Sequence, residues 1–185
     1  MLKALYQDIR DEKLFRAFKR GDQGAFEQLY SRHASRLVSH LYRLTGNSLQ
    51  AEDIAQEAWL AVIRNSQQFD SSQRFSTWLF TIARRKQIDL WRKQSTQQDK
   101  LGKPLFDVLE QLSDAGLNDA INQVSVQDLI DKIHDLSSLQ LEALLLKIAG
   151  FSQHDIATIT SAQPEAVKSR IRYATRALRS ALSAQ

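Results

Sequence analysis

The chain contains no cysteine, which excludes a disulfide framework, a thiolate metal centre and a cysteine nucleophile, and fits a reducing compartment. Only two prolines and six glycines interrupt its 185 residues. Turn and strand punctuation is therefore scarce, while the helix formers Leu, Ala, Gln, Arg and Lys are frequent, and this predicts an all-α protein. Long apolar runs are missing as well: Leu144 to Leu146 stops at Lys147, far short of the roughly 20 residues a membrane helix needs. Met1 to Lys13 scatters Lys3, Asp8, Arg10, Asp11 and Glu12 among its apolar residues, so no signal-peptide core forms. A soluble, cytoplasmic protein is expected. There is no phosphate-cradling glycine loop and no paired His-Glu metal motif, and the four histidines, at 33, 40, 134 and 154, are scattered. Neither an enzyme nor a metal or cofactor is expected. Lys and Arg exceed Asp and Glu by 25 to 21, a net charge of +4, which suits a polyanionic partner without demanding one.

The length accommodates one ordinary domain or two small ones. Phe26, Leu29, Tyr30, His33, Leu37, Leu41 and Leu44 recur at helical spacing and predict one stripe of a long helix entered at Gly21-Asp22 and closed by Gly46. Asn47 with Gln50 resembles a capping box for a helix whose buried face is Ile54, Ala55, Ala58, Trp59, Val62 and Ile63, ending near Asn65. Gln67 to Arg74, apolar only at Phe69, reads as a loop, after which Ser76 is placed to cap a helix carrying Trp78, Leu79, Ile82, Ala83 and Leu90. The pattern dissolves after Lys93, giving an N-terminal domain over 1–94 and a linker over 95–124. Residues 107–119 of that linker carry four acids and no base, and Leu105, Phe106, Val108, Leu109 and Leu112 suit a short docking helix. A C-terminal domain over 125–185 begins with the stripe Leu129, Ile130, Ile133, Leu136, Leu139, Leu141, Leu144, Leu145 and Ile148, ending at Gly150.

Three segments carry candidate chemistry. Ser152 can cap a short helix bearing Ile156, Ala157 and Ile159, Thr160 to Gln163 make a turn, and Pro164 opens a second helix, a helix-turn-helix layout. That second helix buries Val167, Ile171, Ala174 and Leu178 and carries Lys168, Arg170, Arg172, Arg176 and Arg179 with no acid between 168 and 179. In a DNA-reading motif it would enter the major groove; as an ordinary surface it would be a solvated basic face. From Arg74 to Lys93, six basic residues stand against the single acid Asp89, interleaved with Phe75, Trp78, Phe80 and Trp91. Cations following a backbone beside aromatic faces are what single-stranded nucleic acid needs, although core packing also accounts for Trp78 and Phe80. Trp59 reads as core. Finally, Glu52, Asp53, Gln56 and Glu57 share an exposed helix face that suits a basic protein partner or serves only as a soluble surface.

Four stretches in this order, Phe26-Glu-Gln-Leu-Tyr-Ser-Arg-His33, Ala51-Glu-Asp-Ile-Ala-Gln-Glu57, Phe75-Ser-Thr-Trp-Leu-Phe-Thr-Ile-Ala-Arg84 and Val167-Lys-Ser-Arg170, resemble the signatures of the extracytoplasmic-function (ECF) sigma factors of bacterial RNA polymerase. The resemblance implies two small helical domains joined by a linker, binding core RNA polymerase and promoter DNA. It implies that Glu52, Asp53, Gln56 and Glu57 grip the clamp helices of the polymerase. It further implies that Gln68, Phe69, Asp70, Ser71, Ser72, Gln73 and Arg74, with Thr77, Trp78, Arg84 and Arg85, capture the melted minus-ten strand and a flipped base. Glu165, Lys168, Ser169, Arg170, Arg172 and Arg176 would meet the minus-thirty-five element, and the linker would run toward the RNA exit channel. Many members are silenced by an anti-sigma factor, which suggests such a partner. The sequence departs from the family pattern at Arg85 (commonly Asn), Ser137 (Pro), His154 (Glu), Ala166 (Thr) and Tyr173 (Arg).

Two rival readings remain. A helix-turn-helix repressor with an N-terminal helical sensor domain would share the C-terminal motif but leave the aromatic-basic segment 74–93 unexplained. A helical adaptor without DNA binding would leave both basic helices as solvated surface.

Overall fold

Glycine turns and short polar side chains set the helix ends in the computed structural model, which describes residues 8–94, 133 and 135–182. The linker expected at 95–124, its short helix at 105–112, and stripe positions 129 and 130 lie outside the described residues. Among those described there are seven α-helices, one 3-10 turn and no strand: α1 Asp11–Lys19, α2 Gln23–Thr45, α3 Ser48–Arg64, α4 Phe75–Gln94, α5 Ser138–Ile148, α6 Gln153–Thr160 and α7 Pro164–Leu182. None is long and apolar enough to cross a membrane. Two compact units result; of the described residues, the first holds 8–41 and 49–94 and the second 42–48, 133 and 135–182.

In the first unit, α1 ends in a Schellman motif. Gly21 has φ of 100°, its N–H donates to the Phe18 carbonyl (2.8 Å) and the Asp22 N–H to the Ala17 carbonyl (3.1 Å); a Cβ-bearing residue would be strained at that φ. Asp22 then accepts from the Ala25 N–H at 3.1 Å and so also caps α2. Leu29, His33, Leu37 and Leu41 are buried along α2 as the stripe predicts, each Leu contributing roughly 1.5–3 kcal/mol of burial. Tyr30 departs from it, exposed at the rim with its ring 5.0 Å from Trp59. On α3, Ile54, Ala55, Ala58, Trp59 and Val62 are buried, but Ile63 is exposed, because nine residues at 100° each place it half a turn away from Ile54.

Two findings lie outside the sequence reading. Helix α1 was not anticipated; Leu14 and Phe15 bury completely and the Phe18 ring packs tilted beside Phe15, 5.6 Å between centroids. Helix α4 begins at Phe75 rather than after a Ser76 cap. Ser76 is buried in its first turn, and the Phe75 N–H is satisfied by Glu12 Oε1 at 3.1 Å, a cap supplied from α1.

The second unit packs α5 and α6 against α7. Ile133, Leu136, Leu141, Leu144, Leu145, Ala174 and Leu178 form its core. Leu139, expected in the stripe, is exposed, since it lies across the helix from Leu141 and Leu145. Ser137, at the position where the resemblance expects Pro, caps α5 by a capping box: Gln140 N–H reaches Ser137 Oγ (3.4 Å) and Ser137 N–H reaches Gln140 Oε1 (2.9 Å). Gly150, with φ of 85°, closes α5 in a second Schellman motif through Gly150 to Lys147 (2.9 Å) and Phe151 to Leu146 (3.1 Å).

Candidate nucleic-acid interface

An aromatic nucleus fixes the loop between α3 and α4. Phe15 lies within 4.9 Å of Phe69, 5.1 Å of Phe75 and 5.4 Å of Trp78, centroid to centroid, and Phe69 and Trp78 are 5.0 Å apart. Phe69, the single apolar residue of the loop, is 5% exposed and Thr77 3%. Both were expected to touch DNA, and both are instead buried: burial of Phe69 pins the loop to the nucleus, and Thr77 faces the interior one turn into α4. The remaining loop positions, Gln68, Asp70, Ser71, Ser72 and Arg74, are exposed and Gln73 is half-buried. Asp70 holds the loop's shape, accepting from the Ser72 hydroxyl (2.6 Å) and Ser72 N–H (2.9 Å). These bonds, the hydroxyl first, keep its carboxyl below the usual value. Asp70, expected among the strand-contacting residues, is thus engaged in shaping the loop.

Trp78, Arg85 and Arg92 fall on one stripe of α4 at seven-residue steps, and Arg74, the residue before the helix, continues it four residues back. Trp78 is half-buried, packed against Phe15, Phe69 and Phe75 of the nucleus; Arg85 is exposed and Arg84 half-buried on the flank. Phe80 is core, with the Arg36 guanidinium 5.4 Å from its ring centroid. Trp59 is core, as expected. Arg85, at the position where the resemblance expects Asn, thus adds a cation to the outward stripe.

On α3, Glu52, Asp53, Gln56 and Glu57 are all exposed opposite the buried alanines. Glu57 accepts from Lys86 Nζ at 3.3 Å, which joins the acidic face to the basic helix beside it. Sequence reasoning missed what surrounds this face: Leu49 is 72% exposed, Leu60 36% and Ile63 42%. With Asp53 and Gln56 they form a stripe at steps of four, three, four and three, the spacing of a helix-pairing seam. That spacing was legible from the sequence; the exposure was not.

His33, Arg32 and Asp11 tie α1 to α2. Arg32 donates to Asp11 Oδ1 and His33 Nε2 to Oδ2, both at 2.6 Å, and Arg32 also reaches the Ile9 carbonyl at 2.7 Å. Burial raises the Asp11 carboxyl, but the His33 bond and charge, then those of Arg32, outweigh it, and the net shift is downward. A depressed folded value stabilises above the unfolded one, near 3.8, and that stability is lost as pH falls through the folded value. The wild-type unfolding free energy should therefore drop below about pH 4, whereas Asp11→Asn, weaker at neutral pH by roughly 1–3 kcal/mol, should lack this acid limb. Parallel pH profiles of the two proteins in urea titrations would overturn the assignment.

In the second unit, Ser152 caps α6 through the Asp155 N–H (3.1 Å), while Asp155 Oδ2 accepts from the Ser152 N–H and hydroxyl. His154, where the resemblance expects Glu, is exposed and outside this cap. Ser161, with φ of 52°, turns the chain, and Gln153 Nε2 donates to the Pro164 carbonyl at 2.9 Å, bracing α6 against the start of α7. The expected helix-turn-helix is present. Val167, Ala174 and Leu178 are buried on α7 and Ile171 is half-buried. Glu165, Lys168, Ser169, Arg172 and Arg176 occupy one exposed face, where Lys168 pairs loosely with Glu165 at 3.6 Å. Arg170 lies apart from that face, half-buried at its flank, because two residues from Lys168 turn it by about 200°. Tyr173, three residues after Arg170 on the same side of α7, is 58% exposed.

Comparison with known proteins agrees with this arrangement. Residues 29–97 match the family model of sigma-70 region 2. The chain is 40% identical to the ECF RNA polymerase sigma factor SigW of Bacillus subtilis over 83 residues, 45% of this chain and 44% of that protein. It is 32% identical to the ECF RNA polymerase sigma factor SigL of Mycobacterium tuberculosis over 159 residues, 82% of this chain and 85% of that one. The solved structure of CnrH in complex with the cytosolic domain of CnrY has a similar fold, with a TM-score of 0.67 at 24% identity, covering 95% of this chain and 98% of that one. The repressor reading finds no support among these relatives. Given the identity shared with SigL across most of both chains, this chain belongs to the ECF RNA polymerase sigma factors.

Proposed function

We propose that this sigma factor brings core RNA polymerase to promoters by three separate surfaces: α3 docks on the polymerase, the 68–74 loop with α4 holds the melted minus-ten strand, and α7 reads the minus-thirty-five duplex. The observation that carries this reading is the outward stripe Arg74, Trp78, Arg85 and Arg92 leading from a loop pinned by Phe69. A duplex-binding repressor has no use for it.

Flipping a base out of the stack costs a few kcal/mol. Stacking on an aromatic side chain returns about 1–3 kcal/mol per base, and Trp78, half-buried and backed by three phenylalanines, is a rigid place for it. Arg85 and Arg92 would follow the backbone beside that base. In the second unit, Lys168, Ser169, Arg172 and Arg176 lie on the face that enters the groove, with early residues at base edges and later ones at phosphates. Arg170, at the flank, would reach phosphate rather than a base edge. Residues 1–94 and 125–185 act as two modules joined through 95–124, so that both promoter elements bind one polymerase together and each raises the effective concentration of the other. The chain performs no bond chemistry; the polymerase forms the phosphodiester bond and this chain supplies the address. The α3 stripe, with its exposed Leu49, Leu60 and Ile63, is also a surface that an anti-sigma factor would have to cover.

Run-off transcription tests the reading: purified core polymerase lacking any other specificity factor is incubated with a fragment library, with and without the chain. Defined start sites that require the chain, sharing two upstream sequence blocks, are expected. No initiation, despite intact folding and duplex binding, would return the chain to the repressor class.

A further inference from the structure

We propose that the outward face of α1, with Gln67, is a second phosphate-binding site, which takes the sugar-phosphate backbone of the single strand next to the base held by the neighbouring loop; it rests on the single-strand reading above. Lys13, Arg16, Lys19, Arg20 and Gln67 line an open groove of ≈ 570 Å³. Lys13, Arg16 and Lys19 follow one another at three-residue steps, and Arg20 closes the helix. None of these four cations forms an ion pair with another described residue. The acids that α1 does carry are engaged elsewhere: Asp11 holds Arg32 and His33, and Glu12 caps α4.

Four cations that no described acid neutralises make this groove attractive to an anion. The helix macrodipole favours Arg16 and Lys19 in the last turn, but it opposes Lys13 in the first, so it does not account for the cluster. The groove is also placed with respect to the loop. Gln67 belongs to the 3-10 turn Ser66–Gln68 that opens the loop, and Phe15 of α1 is in contact with Phe69 two residues further on. A strand whose base is held at the loop would therefore pass the α1 cations, and a phosphodiester backbone, with regularly spaced single charges, matches cations at regular helical steps. The acidic stretch 107–119 of this same chain is the competing anion.

The test uses the polymerase holoenzyme and a fluorescein-labelled non-template single strand from a promoter recovered in the run-off screen. Three proteins are compared by anisotropy across a salt series: wild type, the four-fold variant K13A/R16A/K19A/R20A, and the charge-conserving K13R/R16K/K19R/R20K. Because single strands show a log–log salt slope of about −0.7 per phosphate neutralised, the alanine variant should lose roughly 2–3 from the slope and bind roughly tenfold or more weakly at low salt. The charge-conserving variant should retain the wild-type slope, which separates charge from any effect on folding. An unchanged slope in the alanine variant, with wild type binding well, overturns the groove and leaves the loop reading standing. Tighter binding by the alanine variant also overturns it and assigns the groove to the chain's own acidic stretch. Failure of the wild-type holoenzyme to bind better than core polymerase alone removes the loop reading and this one with it.

Discussion

Phe75→Ala should destabilise the N-terminal unit by about 3–5 kcal/mol, as read by urea denaturation monitored through tryptophan fluorescence. The side chain is fully buried and meets Phe15 at 5.1 Å, His33 at 5.5 Å, Phe69 at 6.1 Å, Trp59 at 6.2 Å and Trp78 at 6.3 Å. It thus touches α1, α2, α3, the loop and α4 together. None of those rings can move into the cavity without breaking another contact, so the cost belongs at the upper end of the range for a large-to-small change. Since whole domains are stable by only about 5–15 kcal/mol, most of the unit's margin would go. A loss under about 1 kcal/mol would mean that the nucleus repacks, and that the loop is held by its own hydrogen bonds instead. Phe69→Ala separates the two: it removes only the loop's anchor, and should cost less stability while freeing the loop.

The same nucleus shows where sequence reasoning works and where it stops. Several helix ends were legible from local signals: Asp22, Ser152, Pro164 and the glycines at 21, 46 and 150 act on backbone groups within a few residues, although the equally local Ser137–Gln140 box was passed over. The cap on α4 was not, because Glu12 reaches the Phe75 N–H across 63 residues and no local pattern records it. Helix α1 was passed over although Leu14, Phe15 and Phe18 have helical spacing, since a nine-residue helix is too short to show a sustained period. Site residues divided by the same rule. Polar positions such as Glu52, Asp53, Lys168 and Arg172 were correctly placed on surfaces, because charge seldom tolerates burial. Apolar or small ones, Phe69 and Thr77 among them, were misplaced, because the sequence names a residue's chemistry and not which side of a packed layer it takes. Ile63 and Leu139 failed in the opposite sense, apolar side chains left at the surface by the helical phase.

That exposed phase leads to the second large effect, on polymerase binding. The double substitution D53K/Q56K should weaken binding of this chain to core RNA polymerase by roughly 100-fold or more, measured by titrating the labelled chain with core enzyme. Asp53 and Gln56 lie at the centre of the stripe that runs from Leu49 through Leu60 to Ile63. A seam with apolar ends and an acid-amide middle fits a helical partner that offers apolar side chains at matching steps and a cation between them. Lysine at both central positions turns an attraction into like-charge opposition inside a desolvated interface, which costs several kcal/mol, and each 1.4 kcal/mol is about tenfold in affinity. The fold should not suffer: both positions are exposed, lysine is a good helix former, and the Glu57–Lys86 contact at 3.3 Å is left in place. Leu60→Ala, truncating an apolar end of the seam, should weaken binding by a smaller factor and without added salt dependence, because it removes contact area and no charge. If D53K/Q56K binds like wild type while Leu60→Ala does not, docking is carried by the apolar residues alone. If neither changes the affinity, the α3 face is a soluble surface and the polymerase is held elsewhere on the chain.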